Sequence, residues 1–223
     1  MHYLSPVAQA PLHTRTGAGA GPRVPYHPGT PPLTLRLLGR FAASRGHQIV
    51  STLGGRDGGR LVRYLLVHRE HAVAEAEILE VLWPALSQEE ARANLRLAVT
   101  GARYLLDTPD GPGSTLSTGG GRYRLCLGWH DRVDADYFES VAGMALLDHG
   151  HGRRAKLDHA LACWTGEPLP EEHASAWAAG WRDRLLGLHT ALIEARAELP
   201  RPGRTRVRRH VSGSTASPAA RAF

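Results

Sequence analysis

Three arginines and one threonine recur at helical spacing in one stretch of the chain, and their chemistry suits contact with nucleic-acid bases. The set consists of Arg92, Arg96, Thr100 and Arg103. Steps of four, four and three residues place them on one side of an α-helix. Guanidinium groups bond guanine edges in the DNA major groove. The set therefore predicts either a base-reading surface or an ordinary solvated arginine face.

The helix that carries this set is clearly marked in the sequence. Ser87 and Glu90 have the spacing of a capping box, in which each side chain bonds a backbone N–H at the helix start. Apolar residues then recur at helical spacing and predict a core-facing side. They are Leu95, Ala98, Val99, Ala102, Leu105 and Leu106. Ser87 is thus interpreted as a helix cap and not as a nucleophile, since the sequence places no base near it.

Strands and helices precede this helix in an informative order. Residues 33–37 alternate as in a half-buried strand, and a second strand is predicted over residues 48–52. Helices are predicted over residues 59–69 and 74–82. Trp83-Pro84 ends the second of these, because proline disfavours a helical residue before it.

A hairpin follows the helix. Residues 115–127 alternate on both sides of three glycines, with Arg122 and Arg124 on one face of the second strand. Strands, three helices and a basic hairpin are the order of a winged helix-turn-helix. In that fold a helix reads base edges while the wing contacts phosphate or the minor groove.

Charge divides the chain, whose net charge is +6, into four segments. Residues 33–128, predicted to be the winged-helix domain, carry 12 arginines and nine acidic residues. Residues 129–199 carry seven basic and 12 acidic residues. Residues 1–32 and 200–223 contain arginine but no acid, and they are predicted to be a disordered leader and a disordered Arg-rich tail. The tail alone has a charge of +6, so net charge supports nucleic-acid binding only weakly.

The acidic segment predicts helices. Asp134 is interpreted as the cap of a helix running to about His149, a second helix covers residues 153–164, and a long one covers residues 175–199. The long helix has an apolar stripe of Trp177, Trp181, Leu185, Leu188, Leu192, Ala195 and Leu199. With only two shorter helices before it, the stripe is expected to self-associate or to pack back onto the winged helix.

The predicted fold class is mainly α with a small β component: a winged helix-turn-helix followed by an α-helical tetratricopeptide-like domain. Six segments of the sequence carry a resemblance to known proteins: 35–39, 78–84, 91–96, 119–125, 133–138 and 164–169. Residues 33–127 resemble the OmpR/PhoB-type winged-helix DNA-binding domain, and residues 132–199 resemble part of a bacterial transcriptional activator domain. In this order the chain resembles the SARP-type regulators, the antibiotic regulatory proteins of actinomycetes.

The resemblance implies promoter DNA, RNA polymerase holoenzyme and a second copy of the chain as partners. It also implies that the loop between the second and third helices contacts polymerase. That loop consists of Trp83, Pro84, Ala85, Leu86, Ser87 and Gln88. The chain departs from the family at Leu97, Gly101 and Tyr104, where the family usually has Gln, Arg and Arg, so the polar reach of the helix is reduced.

No enzyme activity, cofactor or metal is predicted. His149 and His151 flank Gly150 at a predicted helix end, which favours loop histidines over a metal site. Asp134 and Asp136 are read as a helix cap in preference to a carboxylate pair. Two cysteines form no disulfide or metal pattern.

The location and the competing function follow from the same sequence. No apolar run is long enough to span a membrane, and no signal-peptide core is present, so a cytoplasmic, nucleoid-associated location is expected. The alternative to a DNA-binding regulator is a truncated or degenerate helical interaction module without productive DNA binding.

Overall fold

A computed structural model describes residues 31–49, 55–108 and 114–199. All but the last two residues of the predicted leader lie outside these ranges, as do the predicted tail and residues 50–52 of the predicted second strand. Within the described ranges the fold is mainly helical with small sheets, and a winged helix is followed by a helical region. The predicted fold class is confirmed at this level.

The winged helix begins with three antiparallel strands, β1 (Leu33–Arg36), β2 (Ala42–Arg45) and β3 (Gln48–Ile49). β1 alternates between buried and exposed residues, as its sequence predicts. β2 was not predicted, because its four residues include no large apolar side chain. Its pairing with β1, in which Ala43 lies opposite Leu35, is what defines it.

Three helices follow: α1 (Gly55–Val67), α2 (Glu75–Leu82) and α3 (Gln88–Leu106), with β4 (Val73–Ala74) between the first two. They correspond to the three predicted helices, although α1 begins four residues earlier than expected. The apolar side of α3 lies in the core, as predicted.

Helices α1 and α3 cross at a glycine contact. A Cβ atom added to Gly58 would lie 2.8 Å from the carbonyl carbon of Gly101, closer than real side chains approach a backbone. Gly101, which costs about 1 kcal/mol relative to alanine inside a helix, therefore lies where α1 meets α3. This crossing fixes the angle at which α3 is presented.

The predicted hairpin is confirmed as the wing. Strands β5 (Leu116–Gly119) and β6 (Arg122–Leu125) are joined by Gly120 and Gly121, whose φ angles are 57° and 68°. Two successive positive φ values are those of a type I′ turn, which glycine adopts without strain. β4 pairs with β6, so the wing sheet has the order β4-β6-β5.

The helical region consists of β7 (Arg132–Val133), α4 (Asp134–Leu147), α5 (Arg153–Ala162) and α6 (Ala176–Glu198), with a 3₁₀ turn at Pro170–Glu172. The three helices pack on one another. β7 pairs in parallel with β1, so the first sheet has the order β3-β2-β1-β7. The helical region therefore completes a sheet that the winged helix begins.

The apolar stripe of α6 packs inward. Trp181, Leu185 and Leu192 are buried. Trp177 meets Tyr64 of α1 edge to face, with ring centroids 5.3 Å apart. Trp177 thus packs against the winged helix, one of the two expected outcomes, while α6 also packs on α4 and α5.

A short segment after α5 docks on the end of β1. Thr165 Oγ1 donates a hydrogen bond to the Leu38 carbonyl oxygen at 2.8 Å, and Leu169 N donates to the Leu37 carbonyl oxygen at 2.9 Å. Leu169 is fully buried and has a left-handed backbone, with φ 44°. A leucine adopts this costly conformation only where surrounding contacts stabilise it, and here Leu169 is held by full burial and by its hydrogen bond to Leu37.

The interpretation of Asp134 as a helix cap was wrong. Val133 is the N-cap residue, and Asp134 is the first residue of α4. The carboxylate of Asp134 accepts hydrogen bonds from Leu37 N at 2.7 Å and Leu38 N at 3.1 Å, because β7 places it beside the end of β1. Asp136 pairs instead with Arg69, so the two aspartates form no carboxylate pair.

Candidate nucleic-acid interface

Helix α3 begins with the capping box that the sequence predicts. Ser87 N donates to Glu90 Oε2 at 3.0 Å, and Glu90 N donates to Ser87 Oγ at 3.4 Å. The hydrogen bond from the Ser87 hydroxyl lowers the pKa of the Glu90 carboxyl below its usual range. An ionised Glu90 at the positive end of the helix dipole supports the same start.

The predicted stripe of polar residues lies on the outer side of α3. Arg92, Arg96 and Thr100 are exposed, and Arg103 is half-buried. Arg92 Nε lies 3.0 Å from Glu75 Oε1. In the part of the chain that the structure describes, no group pairs with the guanidinium of Arg96. Arg96 is therefore the member of the stripe whose donors are open to an external partner.

Glu75, at the start of α2, connects three elements of the winged helix. Its Oε1 pairs with Arg92 on α3, and its Oε2 accepts a hydrogen bond from the Tyr123 hydroxyl at 3.1 Å on β6. Burial, then the bond to Glu75, raises the pKa of the Tyr123 hydroxyl. Arg92 is thus held by an internal carboxylate that any DNA contact must share.

Arg103 joins α3 to the wing. Its Nη2 donates to Thr118 Oγ1 on β5 at 3.1 Å, while its buried Nε has no hydrogen-bond partner among the described residues. Thr100 Oγ1 donates to the Arg96 carbonyl oxygen at 3.1 Å, within the helix. These bonds hold the outer face of α3 beside the hairpin, which is the arrangement that the winged-helix prediction requires.

The two predicted wing arginines lie on β6, on either side of Tyr123. Arg122 is exposed, and its Nη2 donates to the Ala72 carbonyl oxygen at 2.6 Å, just before β4. Arg124 is half-buried and faces the same side of the strand by alternation. The structure thus brings all six predicted DNA-contact residues onto two neighbouring elements, α3 and the wing.

The loop between α2 and α3 is mostly open to solvent. Trp83 is half-buried against the core, and the residues from Pro84 to Gln88 are exposed. Leu86 is 40% exposed, and its backbone N–H donates to the Trp83 carbonyl oxygen at 3.2 Å. The loop presents an apolar side chain on a hydrogen-bonded turn.

The helical region contacts the winged helix away from α3 and this loop. Its contacts are made with β1 and the residues that follow it, with α1 and with Arg69. On α3, Leu97 remains 71% exposed and Tyr104 65% exposed. The face predicted to enter a groove is therefore uncovered in the described structure.

The sequence analysis does not predict a buried ionic cluster that joins the helical region to α1. Glu172, in the 3₁₀ turn before α6, has a side chain only 5% exposed, and its Oε1 lies 2.7 Å from Nη2 of Arg63 on α1. Its Oε2 accepts from Ser175 Oγ at 2.7 Å and lies 3.8 Å from Nε of Arg60. No local pattern marks the ion pair of Glu172, because Arg63 lies more than 100 residues away in the sequence.

The remaining site predictions concern metals and membranes. His149 and His151 are exposed between α4 and α5. Across residues 31–49, 55–108 and 114–199, no three histidine, cysteine or acidic side chains are grouped so that they could hold a metal ion. Among the described helices, none is long and apolar enough to cross a membrane.

Comparison with known proteins gives a likeness to a solved structure. No protein-family model matches the sequence, and no curated protein matches it. The structure is similar to that of Mycobacterium tuberculosis EmbR, solved in complex with a low-affinity phosphopeptide, with a TM-score of 0.62 and 20% sequence identity. The likeness covers 74% of this chain and 44% of that one. This chain therefore has a fold like that of EmbR and spans less than half of that chain.

Proposed function

We propose that this chain is a sequence-specific DNA-binding transcription regulator of the SARP type. Helix α3 reads base edges in the major groove, and the wing holds phosphate or the minor groove. Binding at promoter repeats as a dimer places the regulator next to RNA polymerase and activates a biosynthetic gene cluster. The protein works in the cytoplasm, at the nucleoid.

One observation carries this proposal: the uncovered face of α3 presents Arg96 with no partner among the described residues, beside the wing. A guanidinium can bond guanine O6 and N7 together, and such a pair discriminates against the wrong base by about 1–3 kcal/mol. Arg103 and Thr118 hold the helix and wing together before DNA arrives. Support also comes from the fold, which is like that of EmbR, a SARP-family regulator.

Replacing Arg96 with alanine is expected to weaken specific binding about fivefold to 150-fold, because one base-reading pair is lost. The operator is first selected from random duplexes with the full chain. Affinity is then measured by gel shift with excess nonspecific competitor, on the operator and on single-base variants of it. The variant should also lose its preference at one position.

The matched control is Arg184→Ala, which removes the same charge from α6. Arg184 is exposed and pairs with Glu139 at 2.8 Å. Its loss should leave specific affinity within about twofold, because Arg184 lies on α6 and not on α3 or the wing. Losing such a surface pair should also lower the free energy of unfolding by less than about 1 kcal/mol. Equal specific affinity of Arg96→Ala and wild type would disprove the assignment of α3 to the major groove.

We further propose that the loop from Trp83 to Gln88 contacts RNA polymerase. The loop lies between two helices of the winged helix and is not covered by the helical region. Leu86 supplies an exposed apolar side chain of the kind that anchors protein interfaces when a partner buries it.

Replacing Leu86 with alanine is expected to leave DNA affinity unchanged and to lower transcription from a repeat-bearing promoter about fivefold, the effect of losing an interface contact of about 1 kcal/mol. Transcription is measured in vitro with purified holoenzyme at a protein concentration that saturates the operator. Leu186→Ala, which truncates another 40%-exposed leucine on α6, is the control. A fall in both variants alike would count against the loop.

The alternative function is a helical interaction module that no longer binds DNA productively. The same selection from random duplexes distinguishes the DNA-binding regulator from the interaction module, because such a module enriches no sequence. Failure to retard any duplex at low salt would favour it.

A further inference from the structure

A second stripe runs along the exposed half of α3, next to the arginines. It consists of Ala93, Leu97, Thr100 and Tyr104, spaced four, three and four residues apart, and we call it the methyl stripe. At about 100° per residue these side chains project within a narrow sector beside Arg92 and Arg96. Leu97 is 71% exposed and Tyr104 65% exposed.

The methyl stripe is not part of the core of the protein. The buried residues of α3 occupy the opposite side of the helix, and Gly101, next to the stripe, faces α1 at the crossing with Gly58. Thr100 uses its hydroxyl hydrogen within the helix, bonding the Arg96 carbonyl, so its γ-methyl group is its apolar contribution. The outer face of α3 thus pairs a basic edge with an apolar edge.

The charge beside the stripe indicates what covers it. An apolar protein surface would have to bury Arg96, whose guanidinium has no partner among the described residues, along with Leu97, which is costly without an acidic partner. A DNA major groove instead offers phosphates and guanine edges to the arginines. It offers one apolar group to a neighbouring aliphatic side chain, the C5-methyl group of thymine, which 5-methylcytosine shares.

We infer that Leu97 reads the C5-methyl group of a pyrimidine in the base pair next to the one that Arg96 contacts. The inference rests on the proposed function and adds to it a specificity element that makes no hydrogen bond. Ala93 and Thr100 flank Leu97 on the helix, so the methyl group enters a shallow apolar surface. The operator therefore contains a methyl-bearing pyrimidine beside the guanine that Arg96 contacts.

The test removes the methyl group and the leucine separately and together. Each thymine of the selected operator is replaced in turn by deoxyuridine, which keeps every hydrogen-bonding group, and affinity is measured for the full chain and for Leu97→Ala. Wild type is expected to lose about fourfold at one or two positions, the effect of burying one methyl group. Leu97→Ala is expected to bind the thymine operator more weakly and to be insensitive to deoxyuridine there.

The control variant is Leu147→Ala, which truncates a leucine that is 80% exposed at the end of α4. It should keep the full sensitivity of wild type to deoxyuridine. In a second arm each cytosine of the operator is replaced by 5-methylcytosine. A methyl-dependent gain that Leu97→Ala lacks would assign the contact to methylated cytosine, and sensitivity to deoxyuridine would assign it to thymine.

Specific binding that no deoxyuridine weakens and no 5-methylcytosine strengthens would overturn the inference while the proposed function stands. So would a Leu97→Ala variant that keeps the sensitivity of wild type. If the full chain selects no sequence at all, the proposed function fails and the inference fails with it.

Discussion

Replacing Glu172 with alanine is expected to lower the free energy of unfolding of the full chain by about 3–5 kcal/mol, the usual effect of removing one partner from a buried ion pair. The side chain of Arg63 is 14% exposed, and it would stay buried without its carboxylate partner. Removal of the methylene groups of Glu172 would also leave a void between the 3₁₀ turn and α1. Urea unfolding followed by circular dichroism measures the change.

Two further variants test whether the loss of stability comes from the buried carboxylate of Glu172. Glu172→Gln keeps one oxygen, which can accept from Arg63, and replaces the oxygen beside Ser175 with an amide that can donate to the Ser175 hydroxyl, so its loss should be smaller than that of Glu172→Ala. Glu194→Ala, on the exposed side of α6, should change stability by no more than about 0.5 kcal/mol. If Glu172→Ala were as stable as Glu194→Ala, the cluster would have no structural role.

This cluster matters for the proposed function because of where it lies. Arg63 belongs to α1, and α1 packs on α3 through the contact of Gly58 with Gly101. The turn that carries Glu172 is fixed from the other side by Arg182, which donates to the carbonyl oxygens of Glu172 and His173. The helical region is thus bonded to the helix that sets the angle of α3.

The features that sequence reasoning predicted are those encoded locally. Ser87 and Glu90 meet within one turn of helix, so their spacing alone is enough to predict the capping box. The wing turn needs only two residues with positive φ, and Gly120 and Gly121 meet that need. The periodicity of α6 likewise predicts which side of that helix is buried.

The features that sequence reasoning missed depend on distant partners. Strand β2 exists because Ala43 pairs with Leu35, and nothing in its own composition marks a strand. The sequence predicts a cap at Asp134 because the backbone N–H groups that it accepts from, those of Leu37 and Leu38, are almost 100 residues away. The periodicity of α6 does not indicate what covers its apolar stripe, for the same reason. In the structure Trp177 packs against Tyr64 of α1, and α6 also packs on α4 and α5.

Three segments that carry the resemblance to SARP-type regulators meet where the winged helix contacts the helical region. Residues 35–39 end β1, residues 133–138 begin α4, and residues 164–169 dock on β1. The resemblance is carried partly by the contacts that join the winged helix to the helical region.

Replacing Asp134 with alanine is expected to destabilise the chain by about 1–3 kcal/mol for each backbone N–H that loses its acceptor, namely those of Leu37 and Leu38. Asp134→Asn retains one oxygen, so its loss should be intermediate. Asp183→Ala, an exposed change on α6, should stay within about 0.5 kcal/mol of wild type. Thermal and urea unfolding measure the series, and equal stability of Asp134→Ala and Asp183→Ala would contradict the assigned role.

The difference in stability between wild type and Asp134→Ala should change with pH in a defined direction. Burial raises the pKa of the Asp134 carboxyl, although the bonds from Leu37, Leu38 and Ala135 act in the opposite direction. The folded chain therefore binds this proton more readily than the unfolded chain, and stability gained from protonation appears as the pH falls through the folded pKa. Alanine at position 134 lacks that gain. The gap in stability between wild type and Asp134→Ala should consequently widen between neutral and mildly acidic pH, and a gap that narrows would show that hydrogen bonding to the charged carboxylate outweighs its burial.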